Sequence, residues 1–515
     1  MEKTSRTEYA ARNIVFGYIG STISILLTFV SRTVFMKTIG LAYLGVNGLF
    51  TNVLGVLSFT ELGVGTAMNY ALYRPVAEND TDKVRSLMQF YKTAYRVISV
   101  VVLVLGLLLL PFLPYLVKGG EGLGDLRVYY LFFLFNTSTS YLVTYKYGLV
   151  NAEQKGYIIT NIDSVCKVII ALIQIVALVL TKSFLAYLAV QSVVQLLQKI
   201  YTFLYIDKKY PFLTQKNPPP LPLEEKKQIS RNVRALMLHK LGEISISQSG
   251  NIIISSFISV VTVGIVSNYN LILTSVALFI NIIANSMTAG LGNVIATESR
   301  EKQYLLFRVY HFLGFFVYGF ASVCLVALFQ PFMAMWAGSE NRIDMLSASL
   351  LVANFYLTGQ RSTIINFKMA GGLFAKDRLI PLTQAGINLL LSLVLVHFIG
   401  LPGVFIAMTF SGLVANIWRP LAIYPVLFGI SGVVYLKEAL VYAVTTAAAA
   451  VAVLGLWQLF AGPGILRFLL LAILAAAVPT VLFCVLFRKD ASFLYLVERI
   501  KSLVLSRIKR RREGE

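Results

Sequence analysis

The chain has 515 residues, of which 57% are hydrophobic and 13% charged, with a mean hydropathy of +0.74. One bilayer crossing takes roughly 20 apolar residues, so this composition supplies many crossings and excludes a large soluble domain. A formal net charge of +21 would suggest nucleic acid in a soluble protein, but here Lys and Arg collect in alternate loops, the asymmetry that orients membrane proteins, which argues against a nucleic-acid partner.

In chain order, the first apolar stretch, 13–37, follows a basic start at Lys3, Arg6 and Arg12. It is too long for a signal-peptide core and carries Arg32 instead of a small-residue cleavage site, so it reads as a retained helix. Further spans are predicted at 42–72, 89–117, 126–150, 157–181, 184–205, 232–258, 263–297, 305–333, 345–370, 377–400, 402–428, 436–460 and 465–488, making about 14 transmembrane helices in an all-α polytopic protein. From an inside N-terminus, the cytoplasmic loops hold Arg74, Lys83, Arg85, Lys92 and Arg96, then Lys155, then Lys208, Lys209, Lys216, Lys226 and Lys227, then Arg300 and Lys302, then Lys376 and Arg378. The outside loops hold scattered charges such as Lys118, Arg127, Lys182 and Arg342, so both termini are predicted to be cytoplasmic. Cys166, Cys324 and Cys484 lie inside apolar stretches with no CxxC pair, so neither a disulfide framework nor a metal site is indicated.

The longest break, Asp207 to Ser230, contains Pro218, Pro219, Pro220 and Pro222 followed by a charged helix start. It divides the first dozen spans six and six. Arg12-Asn13-Ile14 falls opposite Arg231-Asn232-Val233, and Tyr145-Lys146-Tyr147-Gly148 opposite Phe367-Lys368-Met369-Ala370 at nearly the same offset. These matches predict a duplication into parallel repeats with a site at their interface, which is transporter architecture. The expected organisation is a six-helix bundle over 1–206, a Pro-rich cytoplasmic linker over 207–230, a second six-helix bundle over 231–430, two additional spans over 431–488 and a basic amphipathic tail over 489–515. In that tail Phe493, Leu496, Val497, Ile500, Leu503 and Val504 recur at helical spacing beside a run of cations. It reads either as a surface helix holding anionic headgroups of the inner leaflet or as a solvated basic tail.

Ionisable residues inside spans are costly in hydrocarbon and are the default functional candidates. Arg32 and Arg361 lie several residues from any span end with no acid three or four positions away. They are predicted to meet an anion on the cargo, a phosphate or carboxylate, with Gln360, Asn251 and Lys240 as further cavity candidates. Glu61 is the one deep acid without an adjacent base and is the candidate for proton or sodium coupling. Asp163 with Lys167, and Lys240 with Glu243, are spaced to neutralise one another, as structural pairs or as ligands. Lys146 and Lys368 lie within two turns of cytoplasmic ends and are predicted to snorkel. There is no phosphate-binding G-x-x-x-x-G-K-[ST] loop, and the three His form no catalytic pattern, so the chain is expected to be neither an enzyme nor cofactor-dependent.

Three segments carry a resemblance. Tyr43-Leu44-Gly45-Val46-Asn47-Gly48-Leu49-Phe50 runs on through Phe59-Thr60-Glu61-Leu62-Gly63-Val64-Gly65 to Leu72-Tyr73-Arg74-Pro75-Val76-Ala77-Glu78; Asn151-Ala152-Glu153-Gln154-Lys155 follows the fourth span; and 372–378, 388–392 and 400–405 lie in the second half. Together they resemble the bacterial oligosaccharide flippases of the polysaccharide transporter family, in the multidrug/oligosaccharidyl-lipid/polysaccharide exporter superfamily, over most of residues 10 to 430. The resemblance implies two six-helix bundles in a V around a central cavity, with two added C-terminal helices. It implies a polyprenyl-diphosphate-linked oligosaccharide as cargo, turned to the outer face of the cytoplasmic membrane for capsule, O-antigen or exopolysaccharide assembly, with a polymerase or ligase complex as a candidate partner. A small-molecule extruder on the same fold and a non-transporting scaffold for polysaccharide assembly are the alternatives.

Overall fold

A computed structural model describes residues 6–61, 63–215, 218–288, 291–373, 377, 379–458 and 464–512. They form helices and no strand: α1 (Arg6–Ile39), α2 (Leu41–Leu57), α3 (Val64–Ala77), α4 (Thr81–Leu109), α5 (Leu113–Leu116), α6 (Leu126–Ala152), α7 (Tyr157–Thr181), α8 (Phe184–Lys209) and α9 (Leu223–Ile253). Then follow α10 (Val260–Thr288), α11 (Leu291–Thr297), α12 (Arg300–Trp336), α13 (Met345–Ala370), α14 (Ile380–Ile399), α15 (Leu401–Phe428), α16 (Val433–Gln458), α17 (Gly464–Phe487) and α18 (Ala491–Arg512). Among the described residues nine helices are long and apolar enough to cross a bilayer, and this is a multi-pass membrane protein. α6, α8 and α13 are also long, but runs such as Asn136-Thr137-Ser138-Thr139-Ser140 interrupt their apolar character.

Short loops end these helices with caps. Asp80, Asp125, Ser183, Ser299, Asp344 and Asp490 accept a backbone N–H of the first turn that follows, satisfying a donor that has no partner inside the helix. The second span differs from the single helix 42–72 that the sequence predicts. α2 ends at Leu57, a 3₁₀ turn covers Ser58–Glu61, and Gly63 sits in the left-handed region at φ 83° to start α3. A β-carbon is unfavourable at that φ, so glycine here makes a break rather than helix packing.

By their contacts the helices divide into two compact units, residues 22–268 with 381–404, and residues 1–21, 269–380 and 405–515. The first of these has an apolar core running from Phe35 through Leu49, Phe50, Tyr91 and Tyr130 to Val260. In it α2 meets α9 and the start of α10 nearly backbone to backbone. A β-carbon on Gly45 would lie 1.8 Å from the Val260 carbonyl oxygen, and one on Gly264 2.2 Å from that of Leu41. Beside this contact Lys118 exchanges main-chain hydrogen bonds with Ser255 and Val260, at 3.3 and 2.9 Å. Small residues permit such approaches where lipid supplies no hydrophobic drive for association.

The second unit is knit by aromatic rings. Phe315 stacks on Tyr442 with centroids 4.3 Å apart, joining α12 to α16. Arg308 reaches Glu438 of α16 at 3.0 Å and Asp490, the cap of α18, at 3.5 Å. Phe493 and Leu496, at the start of the helically spaced apolar positions of the tail, pack against the cluster that α12 forms with α16 and α17.

Gly45→Ala is expected to destabilise the protein by about 1–3 kcal/mol, since a carbonyl cannot yield as a side chain can. Gly250→Ala, where an added β-carbon meets nothing within 4 Å, is expected to be neutral or stabilising by up to about 1 kcal/mol. Unfolding of the purified variants in detergent measures both.

Candidate substrate cavity

α6 and α8 each carry two chemically different faces. On α6, Asn136, Thr137, Ser140 and Thr144 lie on one side, and on α8 Gln191, Gln195, Gln198 and Lys199 recur at i, i+4, i+7 and i+8. That spacing is one stripe of a helix. The two stripes, with Asn47, Thr51 and Ser58 of the second span and Tyr147 and Tyr187, line a cavity of about 600 Å³. Amides, hydroxyls and phenols share its wall with Leu54 and Phe133.

Lys199 is the cation of this wall. Its ammonium donates to the Asn136 carbonyl at 2.7 Å and to Thr139 Oγ1 at 2.9 Å, and no carboxylate pairs with it among the described residues. The opposite faces of the same helices are apolar: Val128, Leu131, Phe132 and Phe135 of α6 and Ala189, Val193 and Leu196 of α8 line a groove of about 440 Å³. A hydrogen bond of 2.9 Å from Asn136 on the cavity side to Ser192 on the groove side closes the helix pair between them.

The sequence-predicted residues scatter around this cavity. Arg32 donates to Ser267 Oγ at 3.0 Å and lies within electrostatic range of Tyr187, a cavity residue. Glu61 accepts from the Tyr95 hydroxyl at 3.1 Å, and neighbouring Tyr141 donates to Ser58 on the cavity wall at 2.9 Å. Asp163 takes the side-chain amide of Gln198, a cavity residue, at 2.5 Å, and exposed Lys167 acts on it through its charge without a direct ion pair. Asn251 donates to Asn52, which bonds Gln248, and so ties α9 to α2. Lys240 is exposed on α9, and the Glu243 side chain lies outside the described residues.

The other unit holds Arg361, half-buried and donating to Thr358 Oγ1 at 3.2 Å, and Gln360, which is buried and whose carbonyl accepts from Tyr435 at 3.2 Å. Snorkelling is corrected for both lysines. Lys146 is 2% exposed and bonds Asp207 at 2.5 Å. Lys368 is 4% exposed and bonds Asp377 at 2.8 Å, and Arg419 takes the same carboxylate at 3.0 Å. An ammonium that meets a carboxylate inside the protein has no need to reach the interface, and both acids were assigned to loops by their sequence position. Outside the spans, Glu153 accepts from Lys155 at 2.6 Å and Tyr210 at 2.7 Å. The bond to the carboxylate raises the Lys155 pKa, and burial first and that bond second raise the Tyr210 pKa.

No family profile matches the chain, and no curated protein matches it by sequence. Solved structures do match. The lipid II flippase MurJ in an inward closed conformation aligns with a TM-score of 0.65 at 14% identity, over 92% of this chain and 99% of that one. An inward-facing multidrug resistance MATE family transporter of the MOP superfamily aligns at 0.57 and 17%, over 76% and 92%. A mutant of the Vibrio cholerae MATE transporter VcmN aligns at 0.56 and 13%, over 83% and 99%. This chain has the fold that these solved transporters share.

Within that exporter fold the residues missed by sequence reasoning are Lys199, Asp207, Asp377 and Arg419. Lys199 stands six residues from a predicted span end and passes for an interfacial cation. The signal that marks it is the Gln191, Gln195 and Gln198 stripe with which it shares a face.

Asp377→Asn would leave Lys368 and Arg419 facing each other without their common anion. Breaking a buried pair from one side costs about 3–5 kcal/mol, so a large loss of thermal stability in detergent is expected, with little effect from Asp163→Asn, whose Gln198 partner is neutral.

Proposed function

We propose that the protein is a flippase for a polyprenyl-diphosphate-linked oligosaccharide, carrying it from the cytoplasmic to the outer face of a bacterial cytoplasmic membrane for surface polysaccharide assembly. The observation that carries this reading is the α6–α8 pair, polar on its cavity side and apolar on its groove side. Sugar hydroxyls lose their water partners in hydrocarbon at several kcal/mol each, and a wall of glutamines, serines, threonines and tyrosines replaces those partners. The groove offers an apolar path for a prenyl chain along the same helices. Lys199 and Arg32 then serve the diphosphate, and Arg361 is a further cation for the same cargo.

Both termini on this reading are cytoplasmic, and the two six-helix halves rock about the linker so that the cavity opens to each face in turn. A polysaccharide polymerase or ligase is the partner expected at the outer face, and anionic lipid headgroups at the α18 tail. Of the solved neighbours one is a lipid II flippase and others are multidrug transporters, so the fold admits both kinds of cargo. One feature supports the second kind: Glu61, which accepts from Tyr95 three residues after the cavity residue Ser58, is a candidate ion-coupling acid for a small-molecule exporter.

In cells depleted of the protein and lacking any second flippase, lipid-linked glycan is expected to accumulate on the inner face, protected from an external glycan-modifying enzyme. Lys199→Ala and Gln195→Ala are expected to slow its clearance roughly tenfold or more while inserting normally, from the loss of hydrogen bonds to charged or sugar groups. Arg32→Ala and Arg361→Ala test the diphosphate contacts in the same assay. Glycan reaching the outside unchanged in the depleted cells would refute the flippase reading.

A further inference from the structure

A second cavity of about 420 Å³ lies apart from the first, where α4, α6 and α8 meet the linker between the two sequence halves. Its charged lining is Arg85 and Lys92 of α4, Lys146 of α6 and Asp207 of α8, three cations against one carboxylate. The carboxylate is committed to Lys146 at 2.5 Å. Arg85 is paired with Asp82, at 3.0 Å, on its own helix. Lys92 is half-buried, faces the pocket one turn from Met88 and Gln89, makes no hydrogen bond or ion pair among the described residues, and lies within electrostatic range of the Lys146 ammonium.

Lys92 stands near a second ammonium, and the one lining carboxylate is already committed to that ammonium, so its charge is open to an anion that joins it there. The side-chain amides of Gln89 and Gln215 add neutral hydrogen-bonding groups to the lining, while Phe203 and Leu213 are apolar. Those are the requirements of a phosphate on a lipid glycerol: cations and donors for the headgroup oxygens, apolar surface for the first methylenes. The volume is in the range of small-ligand sites. The pocket also lies on the side where the loops are richest in Lys and Arg, the side on which anionic headgroups gather.

We propose that this pocket binds a phosphate-bearing headgroup, supplied in the membrane by an anionic phospholipid, and that its occupancy fastens the linker to α4 and α8. The linker segment 211–215 forms one wall. On its far side, Lys83 at the start of α4 pairs with Glu225 at the start of α9. A bound headgroup therefore adds a second tie between α4 and the chain that joins the two halves, beside the one that Lys83 and Glu225 already make. This site is independent of the cargo proposal and is tested by binding alone.

The full-length protein is reconstituted in nanodiscs of phosphatidylcholine with phosphatidylglycerol, and the lipids it retains are counted by native mass spectrometry. Protection against heat by inorganic pyrophosphate is measured on the same samples in detergent. Lys92→Gln is expected to weaken phosphatidylglycerol retention roughly tenfold or more, and Lys92→Arg to preserve it. Lys208→Gln with Lys227→Gln, neutralising exposed cations elsewhere on the same side, is expected to change nothing. Since Lys92 makes no hydrogen bond or ion pair among the described residues and lies near the Lys146 ammonium, the melting temperature without ligand is expected not to fall. Pyrophosphate protection that is lost in Lys92→Gln, without selective phosphatidylglycerol retention in the wild type, would identify soluble phosphate as the source of the same chemistry. Equal retention and equal protection in Lys92→Gln and the wild type, or equal losses in the Lys208 and Lys227 variant, would overturn the proposal.

Discussion

An amide or ammonium facing lipid tails loses its hydrogen-bond partners, and the protein answers that cost in each unit by turning its polar side chains toward one another. The pair α6 and α8 shows how this becomes architecture. Each helix is too polar to count as a simple span, yet their glutamines, serines and threonines face one cavity, and their leucines, valines and phenylalanines face a groove on the other side. The same energy term that sets their polar faces away from lipid creates the polar chamber between them. Cavity formation and membrane insertion are here one solution to one problem.

The buried charges follow the same rule with a different partner. Lys146 with Asp207, and Lys368 with Asp377 and Arg419, remove ammonium and guanidinium groups from the bilayer by ion pairing within the fold. Such pairs contribute little net stability, because desolvation offsets attraction, but they punish any rearrangement that separates them. Lys146 and Lys368 fall at matching offsets in the two sequence halves, yet their acids come from different places, one from the end of α8 and one from the turn before α14. What corresponds is the need to neutralise a lysine at that depth, met by whichever carboxylate the local chain brings near. Lys199 is the contrast: carbonyl and hydroxyl oxygens hold it, so its charge stays available to an anion in the cavity.

Two kinds of glycine set where the helices bend and where they touch. Gly63 breaks the second span beside Glu61 and the cavity residue Ser58, whereas Gly45 and Gly264 bring α2 and α10 to backbone contact. Contacts of this kind rest on shape and on few hydrogen bonds, and can part without stranding charges. On the proposed transport cycle that is the property a moving interface needs, while the ion pairs hold fixed what must not move.

The sequence by itself determined that the chain crosses the membrane many times and where most of its long helices lie, because hydropathy and length act locally. The spans at 126–150, 184–205 and 402–428 fall on α6, α8 and α15 within a few residues. The segments that resembled oligosaccharide flippases led to the exporter fold that the structural comparisons found. Tertiary structure alone decided which polar residues share a chamber. Gln191, Gln195, Gln198 and Lys199 form a stripe visible in the sequence, but only packing against Asn136, Ser140 and Tyr187 makes it the wall of a cavity and not a lipid-shielded seam. The partners of Lys146, Lys368 and Asp163 were equally hidden. A helix reports which face is polar through its own periodicity, whereas the group that meets that face is set by a neighbour tens of residues away, and no local pattern records that distance.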